Sequence, residues 1–393
     1  MSRLPLIIGI LLLFLTEILR VYFIMPFPGS QHADTINLAY FIGSNKWFLR
    51  IIGLLLIAYP LFRVFTTGKV WKKILLGLVM IFYGIVFYLF NFRYEADKMF
   101  YQPAHKNFAS ANTNTIDSNK LVIGVEINGE AKAFPIQIIG YHHQVRDTIG
   151  NEPVVITYCT VCRTGRVYSP FVNGHSESFR LVGMDHFNAM FEDNTTKSWW
   201  QQATGVSIAG PLKGSALKEI PSHQLSLAVW LREYPDSKIL QPDTIYKKDY
   251  EDLADYDKGT IKGSLEKHDS ASWKNKSWVV GIRTADYEKA YDWNELVSHS
   301  IIQDSIPHNP IVLLLEKDTV SFHVFSRMVN GQTLWFSKED NNRFSDNNTH
   351  SIWNMEGRCL SGPLKDKQLQ SIPAYQEFWH SWKQFHPNTA QYN

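Results

Sequence analysis

The chain has 393 residues, a formal net charge of +2 and only three cysteines, and its length allows two or three packed cores at roughly 150 residues each. So small a net charge supplies no argument for a nucleic-acid partner, and none is expected. Three cysteines in a chain this long exclude a disulfide framework.

Three apolar stretches crowd the amino-terminal part: Leu4 to Phe27, Trp47 to Phe65 and Ile74 to Phe92. Each is close to the ~20 residues that cross a bilayer as a helix. The first is too long for a secretory signal, and Gly29-Ser30-Gln31 is a poor cleavage site, so residues 1–92 read as a retained three-span membrane region. The link between the second and third spans carries Lys69, Lys72 and Lys73, with Arg63 at its edge, whereas the first loop has Lys46, with Arg50 just inside the second span, offset by Asp34. The positive-inside rule then puts the second link in the cytoplasm, the amino terminus with it, and everything after the third span outside. The bilayer is thus the first expected partner. Glu17 and Arg20, three apart in the first span, share a helix face and are expected to neutralise one another.

Residues 93–120 are polar and read as a linker. From there the pattern is one of short strands. Leu121 to Ile127, the turn Asn128-Gly129 and Ala131 to Phe134 make a hairpin signature. A short helix is expected from Gln137 to Val145. The run Val154 to Tyr158, rich in β-branched residues, delivers Cys159 and Cys162 onto the turn that follows a strand. Val167 to Phe171 and Phe179 to Val182 read as a second hairpin through Asn173-Gly174, with Pro170 marking an edge. Ser222 to Tyr234 reads as a helix capped by its serine and stopped by Pro235.

The same order recurs further on. Gly124, Lys132-Ala133, Asp147, Pro153 and Asn173-Gly174 correspond to Gly281, Lys289-Ala290, Asp304, Pro310 and Asn330-Gly331 at one common offset. Asp193, Trp200, Gly210-Pro211-Leu212 and Trp230 find Asp346, Trp353, Gly362-Pro363-Leu364 and Trp382 after a drift of a few residues. Two copies of one unit are expected, at 121–240 and 278–393, joined by a charged connector or lid at 241–277. The fold class is therefore α+β: three amino-terminal transmembrane helices, then a duplicated, β-rich, extracytoplasmic α+β domain. In the second copy Glu316 and Thr319 stand where the first has Cys159 and Cys162, so shared positions read as scaffold and the thiols as the site.

Val122 to Pro135, the segment around His142, Thr157-Tyr158-Cys159-Thr160-Val161-Cys162, Asn188 to Asp193, Ser198 to Gln202 and Gly210-Pro211-Leu212 together resemble the domain of unknown function 3179 family, over most of residues 105–390. Members of that family usually read Tyr-Cys-Pro-Leu-Cys at the thiols and Asn-Trp-His-Glu where this chain has Gly140-Tyr141-His142-His143. The resemblance implies fold and location, and supports His142 over His143. It implies no activity.

Cys159, Cys162 and His142 are candidate ligands for a thiophilic metal, zinc or reduced copper, with His143, His175 or His186 as a possible fourth. The same two thiols are candidates for dithiol–disulfide exchange, with Arg163 and Arg166 available to stabilise a thiolate. Asp185, Asn188, Trp200 and Gln202 are candidate pocket residues, with a turn held by Asn and Asp side chains as the structural alternative. His223, His268 and His380 read as surface or packing residues. The competing class is a non-enzymatic binding or scaffold module with a structural cysteine pair, and the small-molecule or protein partner is unassigned.

Overall fold

The computed structural model describes residues 4–261, 263–284, 286–307, 309–339 and 342–392. It divides into two compact units, residues 1–101 with 177–216, and residues 102–176 with 217–393.

The first unit opens with four helices, α1 (Leu4–Tyr22), α2 (Ile36–Ser44), α3 (Lys46–Thr67) and α4 (Val70–Phe92). Three of them, α1, α3 and α4, are long and apolar enough to cross a membrane. The first ends at Tyr22, short of the expected Phe27, because Pro26 and Pro28 cannot continue a helix. Glu17 is fully buried, and its chief partner is Arg50: Arg50 Nε and Nη2 each donate to a carboxylate oxygen at 2.7 Å. Arg20 stands 3.5 Å from Glu17 but directs Nη1 to Glu95 at 2.6 Å. The expected pair is thus part of a larger neutralised cluster, which is how buried charge is tolerated among apolar helices.

The same unit holds a four-stranded antiparallel sheet, in the order Ser207–Ala209, Trp199–Gln201, Asn188–Asp193, Phe179–Asp185. Asp193 organises its central turn, accepting from Thr196 N–H and Oγ1, Ser198 N–H and Trp200 Nε1. Met184 N–H donates to Ile24 O at 2.6 Å, and a side chain on Gly183 would meet that same carbonyl at 2.2 Å, so the close approach requires glycine.

The second unit is built from small sheets. One has the order Phe108–Ala109, Lys238–Leu240, Glu130–Pro135, Leu121–Ile127, His223–Ser226, and another the order Gln144–Ile149, Glu152–Cys159, Thr164–Tyr168. Two later sheets run Ala374–Phe378, Trp278–Arg283, Glu288–Asp292, Ala390–Gln391, and Ile301–Ile306, Asn309–Leu315, Phe322–Ser326. A further four-stranded sheet has the order Phe336–Glu339, Arg343–Asp346, Ile352–Asn354, Cys359–Ser361. Short helices α5 (Ile136–His142), α6 (Leu227–Glu233), α7 (Lys247–Glu251), α8 (Trp293–His299) and α9 (Trp379–Phe385) cap these sheets. Val280, Tyr291, Leu313 and Phe378 form part of one apolar core, and Val122, Leu225, Trp230 and Ile239 part of another.

Three sequence expectations change here. The segment Ser222–Tyr234 begins as a strand against Leu121–Ile127, and the helix starts only after Ser226, whose Oγ caps it by accepting from Val229 N–H. Ser222 is therefore not the cap. The helix near His142 stops at that residue, because His143 turns left-handed (φ 58°) and Gln144 enters a strand. The second hairpin turns through Asn173-Gly174 as expected but is short, pairing only Phe171–Val172 with His175–Ser176: Thr164–Tyr168 pairs back onto the thiol strand, and Phe179–Asp185 joins the sheet of the other unit.

Candidate functional site

Strand Glu152–Cys159 is buried from Val154 onward, and it ends in a tight turn where Cys162 N–H donates to Cys159 O at 3.3 Å and Arg163 N–H to Thr160 O at 3.4 Å. Arg163 closes the turn in the left-handed region (φ 54°). The two cysteines come within 3.8 Å of each other as thiols, both without solvent exposure. Burial pushes the Cys162 thiol well above its ordinary pKa, and the adjacent Cys159 adds to that rise.

Side chains from distant parts of the second unit surround the turn. Tyr256 donates its hydroxyl to Thr160 O at 2.9 Å and lies 3.4 Å from the Tyr158 hydroxyl. Lys276 Nζ donates to Val161 O at 2.6 Å and stands 3.1 Å from His380 Nε2. Burial lowers the Lys276 pKa, opposed by the nearby Cys162 and Cys159. Burial, with Lys276 beside it, holds His380 down to about 4. Ser381 hydrogen-bonds the Cys162 thiol and stands 3.3 Å from Thr164 Oγ1. None of Tyr256, Lys276, His380 and Ser381 carries a motif, and only tertiary packing brings them to the thiols.

The arginines are committed elsewhere. Arg163 Nε donates to Gln376 Oε1 at 2.9 Å, its other nitrogens reach Tyr256 O and Asp257 O, and its guanidinium lies 4.1 Å from the Trp278 ring centroid. Arg166 pairs with buried Glu377 and with Glu219, and stacks 3.5 Å over Tyr375. Both therefore brace the turn.

His142 ends α5 fully buried, its Nε2 2.7 Å from the Tyr250 hydroxyl and its ring against Tyr246. His143 is the one beside the thiol strand: Tyr158 N–H donates to His143 O, and His143 Nδ1 lies 3.0 Å from Tyr158 O. Burial holds the His143 imidazole down to about 4, so it is neutral and donates from Nδ1. His175 is exposed on a two-residue strand, and His186 pairs with Asp185 at 2.7 Å in the first unit.

The remaining candidates also lie in the first unit. Asn188 Nδ2 donates to Gln202 Oε1 at 2.9 Å and Asn188 Oδ1 accepts from Ala203 N–H, while Gln201 donates to Asp185 and Trp200 to Asp193. Asp185, Asn188, Trp200 and Gln202 are thus joined to the strands and turns of their own sheet.

A second polar cluster, which the sequence did not suggest, lies in the second unit. Among the described residues Glu233, Glu316 and His323 bring ligating atoms within 4.8 Å of one another. It includes neither thiol. Glu316 accepts from Arg232 at 2.5 Å, His323 at 3.1 Å and Asn342 at 2.6 Å, and these partners overcome burial to hold it at about 2.

Compared with known families, a profile described as "Protein of unknown function (DUF3179)" matches residues 101–389. No curated protein and no solved structure matches the chain.

Proposed function

Since the chain belongs to the DUF3179 family, described only as of unknown function, we propose from its own chemistry that it is a membrane-anchored, extracytoplasmic dithiol protein in which Cys159 and Cys162 cycle between thiols and a disulfide. The observation that carries this reading is the approach of the two thiols to 3.8 Å in one buried turn. A small rotation of either side chain brings the sulfurs to the ~2.05 Å of a bond.

In the exchange, one thiolate attacks a disulfide of the partner and forms a mixed disulfide. The second thiol then attacks that sulfur, closing the Cys159–Cys162 bond, and the partner leaves as two thiols carrying the two protons. The pair is oxidised and the partner's disulfide reduced. Lys276 is the cation positioned to stabilise the thiolate. Access requires Tyr256 and Lys276, from the connector 241–277, to lift from the turn.

A metal-binding version has one observation in its favour. Two thiolates sharing a tetrahedral ion at ~2.3 Å lie roughly 3.8 Å apart, the separation seen here. Zinc or reduced copper suits such a pair, with His142 as the proposed third ligand.

Other parts of the reading concern the scaffold. Lys69 between α3 and α4, with Lys72 and Lys73 in the first turn of α4, supports a cytoplasmic amino terminus and an outer thiol domain. The likeness of the two sets of sheets supports a duplicated unit, 121–240 and 278–393, after a linker at 93–120. So does the way Asp346 accepts from Thr349 and from Trp353 Nε1 while Ser351 Oγ accepts from Leu364 N–H, as Asp193 and Ser198 do in their turn.

Elemental analysis of purified full-length protein, with thiol titration before and after reduction, tests the proposal. Reversible loss of two thiols without stoichiometric metal is expected, and it should vanish in Cys159→Ser/Cys162→Ser. Stoichiometric zinc or copper lost in that variant selects the metal version. Neither metal nor reversible thiol chemistry leaves a non-enzymatic binding or scaffold module.

A further inference from the structure

A separate cavity lies wholly within the first unit, where the carboxyl end of α1, the amino end of α3 and the carboxyl end of α4 meet the Asn188–Asp193 sheet. It measures about 360 Å³ and is lined by Arg20, Lys46, Arg180, Lys197, Glu95 and Glu192. Two of the cations are already neutralised: Arg20 by Glu95 at 2.6 Å and Arg180 by Glu192 at 2.9 Å. Lys197 reaches only the neutral Asn194 Oδ1, at 3.2 Å. Lys46 is half-buried and has no hydrogen bond or ion pair among the described residues.

Lys46 is therefore a half-buried ammonium with no bonded counter-ion, and Lys197 is a solvent-exposed one. A half-buried, unpaired ammonium is costly, and an anion placed beside it removes the cost. Lys46 is also the first residue of α3, whose open amide N–H groups favour negative charge, and Asn45 makes no side-chain cap there. Beside the cations, Val21 and Ile24 supply an apolar wall, and Tyr40 packs edge-on against Trp199 at 5.1 Å. Charge on one side, apolar and aromatic surface on the other, at the end of three membrane-length helices, matches the boundary between a lipid's phosphate and its acyl chains.

We propose that this cavity holds the headgroup of a net-anionic membrane phospholipid, whose phosphate carries no cationic partner of its own, selected by Lys46 and Lys197. The lipid lies in the leaflet opposite the amino end of α4, and it fixes the helix ends to the sheet above them.

Delipidated full-length protein, titrated with phosphatidylglycerol or phosphatidylcholine and read by native mass spectrometry, tests this. Phosphatidylglycerol should bind about tenfold more tightly, the size of one charge-assisted contact. Lys46→Gln should abolish the preference, Lys46→Arg should retain it, and Lys73→Gln, in the first turn of α4, should leave it unchanged. If Lys46→Gln fails to fold, Lys197→Gln carries the same test. Equal affinity for the two lipids, or a preference that survives both glutamine variants, overturns the proposal. So does displacement of phosphatidylglycerol by millimolar inorganic phosphate, which would mark a site for a free oxyanion.

Discussion

Gln224 and Gln376, 152 residues apart, are joined directly: Gln224 Nε2 donates to Gln376 Oε1 at 2.7 Å. Gln224 lies opposite Ile123 in one sheet and Gln376 opposite Val280 in another, so the bond joins the two sheets. The same Gln376 oxygen also accepts from Arg163 Nε at 2.9 Å, which ties the thiol turn to this junction. Gln376→Ala strands a buried guanidinium nitrogen and should cost about 2 kcal/mol. Gln224→Ala removes a donor from a more accessible side chain and should cost less. Denaturant unfolding of the two variants in detergent gives the order, and the reverse order would mean the junction is not centred on Gln376.

The thiol turn makes a prediction about pH. Because burial raises the Cys162 pKa, its thiolate is scarce at neutral pH and grows as pH rises through that raised value. Alkylation of Cys162 in the folded protein should therefore be slow at pH 7 and accelerate well above the range of an ordinary thiol. Lys276 opposes the rise, so Lys276→Met should slow alkylation further at each pH, about tenfold for one lost unit of stabilisation. Mass-spectrometric labelling rates, native against unfolded, check both. An unchanged rate in Lys276→Met would remove lysine from the thiol's surroundings.

Much of this was legible in the sequence, and the losses have physical causes. The three membrane-length helices, the Asn128-Gly129 hairpin and the thiol-bearing strand follow from hydrophobic runs and turn chemistry, which are local signals. The segment Ser222–Tyr234 misled because a short amphipathic strand running into a helix has the apolar content of one helix. Arg163 and Arg166 carried the right charge for a thiolate, but buried acceptors such as Gln376 and Glu377 claim them. Tyr256, Lys276 and His380 could not be found, since each reaches the turn through tertiary packing across 96, 115 and 219 residues.

Acid should weaken the second unit through His143. Its unfolded pKa is near 6.5 and its folded value about 4, so below pH 6.5 the unfolded chain takes a proton that the folded chain refuses. Stability is full above pH 6.5, falls as pH drops toward 4, and levels off below. The lost amount is roughly 3 kcal/mol at 1.36 kcal/mol per unit. His143→Asn keeps a residue that tolerates the left-handed turn and a donor for Tyr158 O, but cannot titrate. Its unfolding free energy should depend less on pH between 4 and 6.5 than that of the parent. Parallel slopes would place the acid sensitivity at the other neutral histidines, His223, His268 and His380.

The last prediction concerns two glycines, each packed against a tryptophan ring. A methyl group on Gly124 would lie 2.3 Å from the Trp230 ring, and one on Gly281 would lie 2.2 Å from the Trp382 ring. Neither position has a left-handed backbone, so the demand is for space and not for conformation. Both rings are fully buried, and each indole N–H is tied down, to Ser237 Oγ at 2.7 Å and to Thr389 Oγ1 at 2.8 Å. A ring held this way cannot step aside. Gly124→Ala and Gly281→Ala should therefore each destabilise by about 1–3 kcal/mol, the range for forcing extra carbon into a packed core. Trp230→Leu should relieve Gly124→Ala but not Gly281→Ala, because the smaller side chain vacates only its own contact. A double-mutant cycle read by denaturant unfolding measures this. Rescue of the wrong glycine, or no coupling at either, would mean that the tryptophans are not what keeps these strands free of side chains.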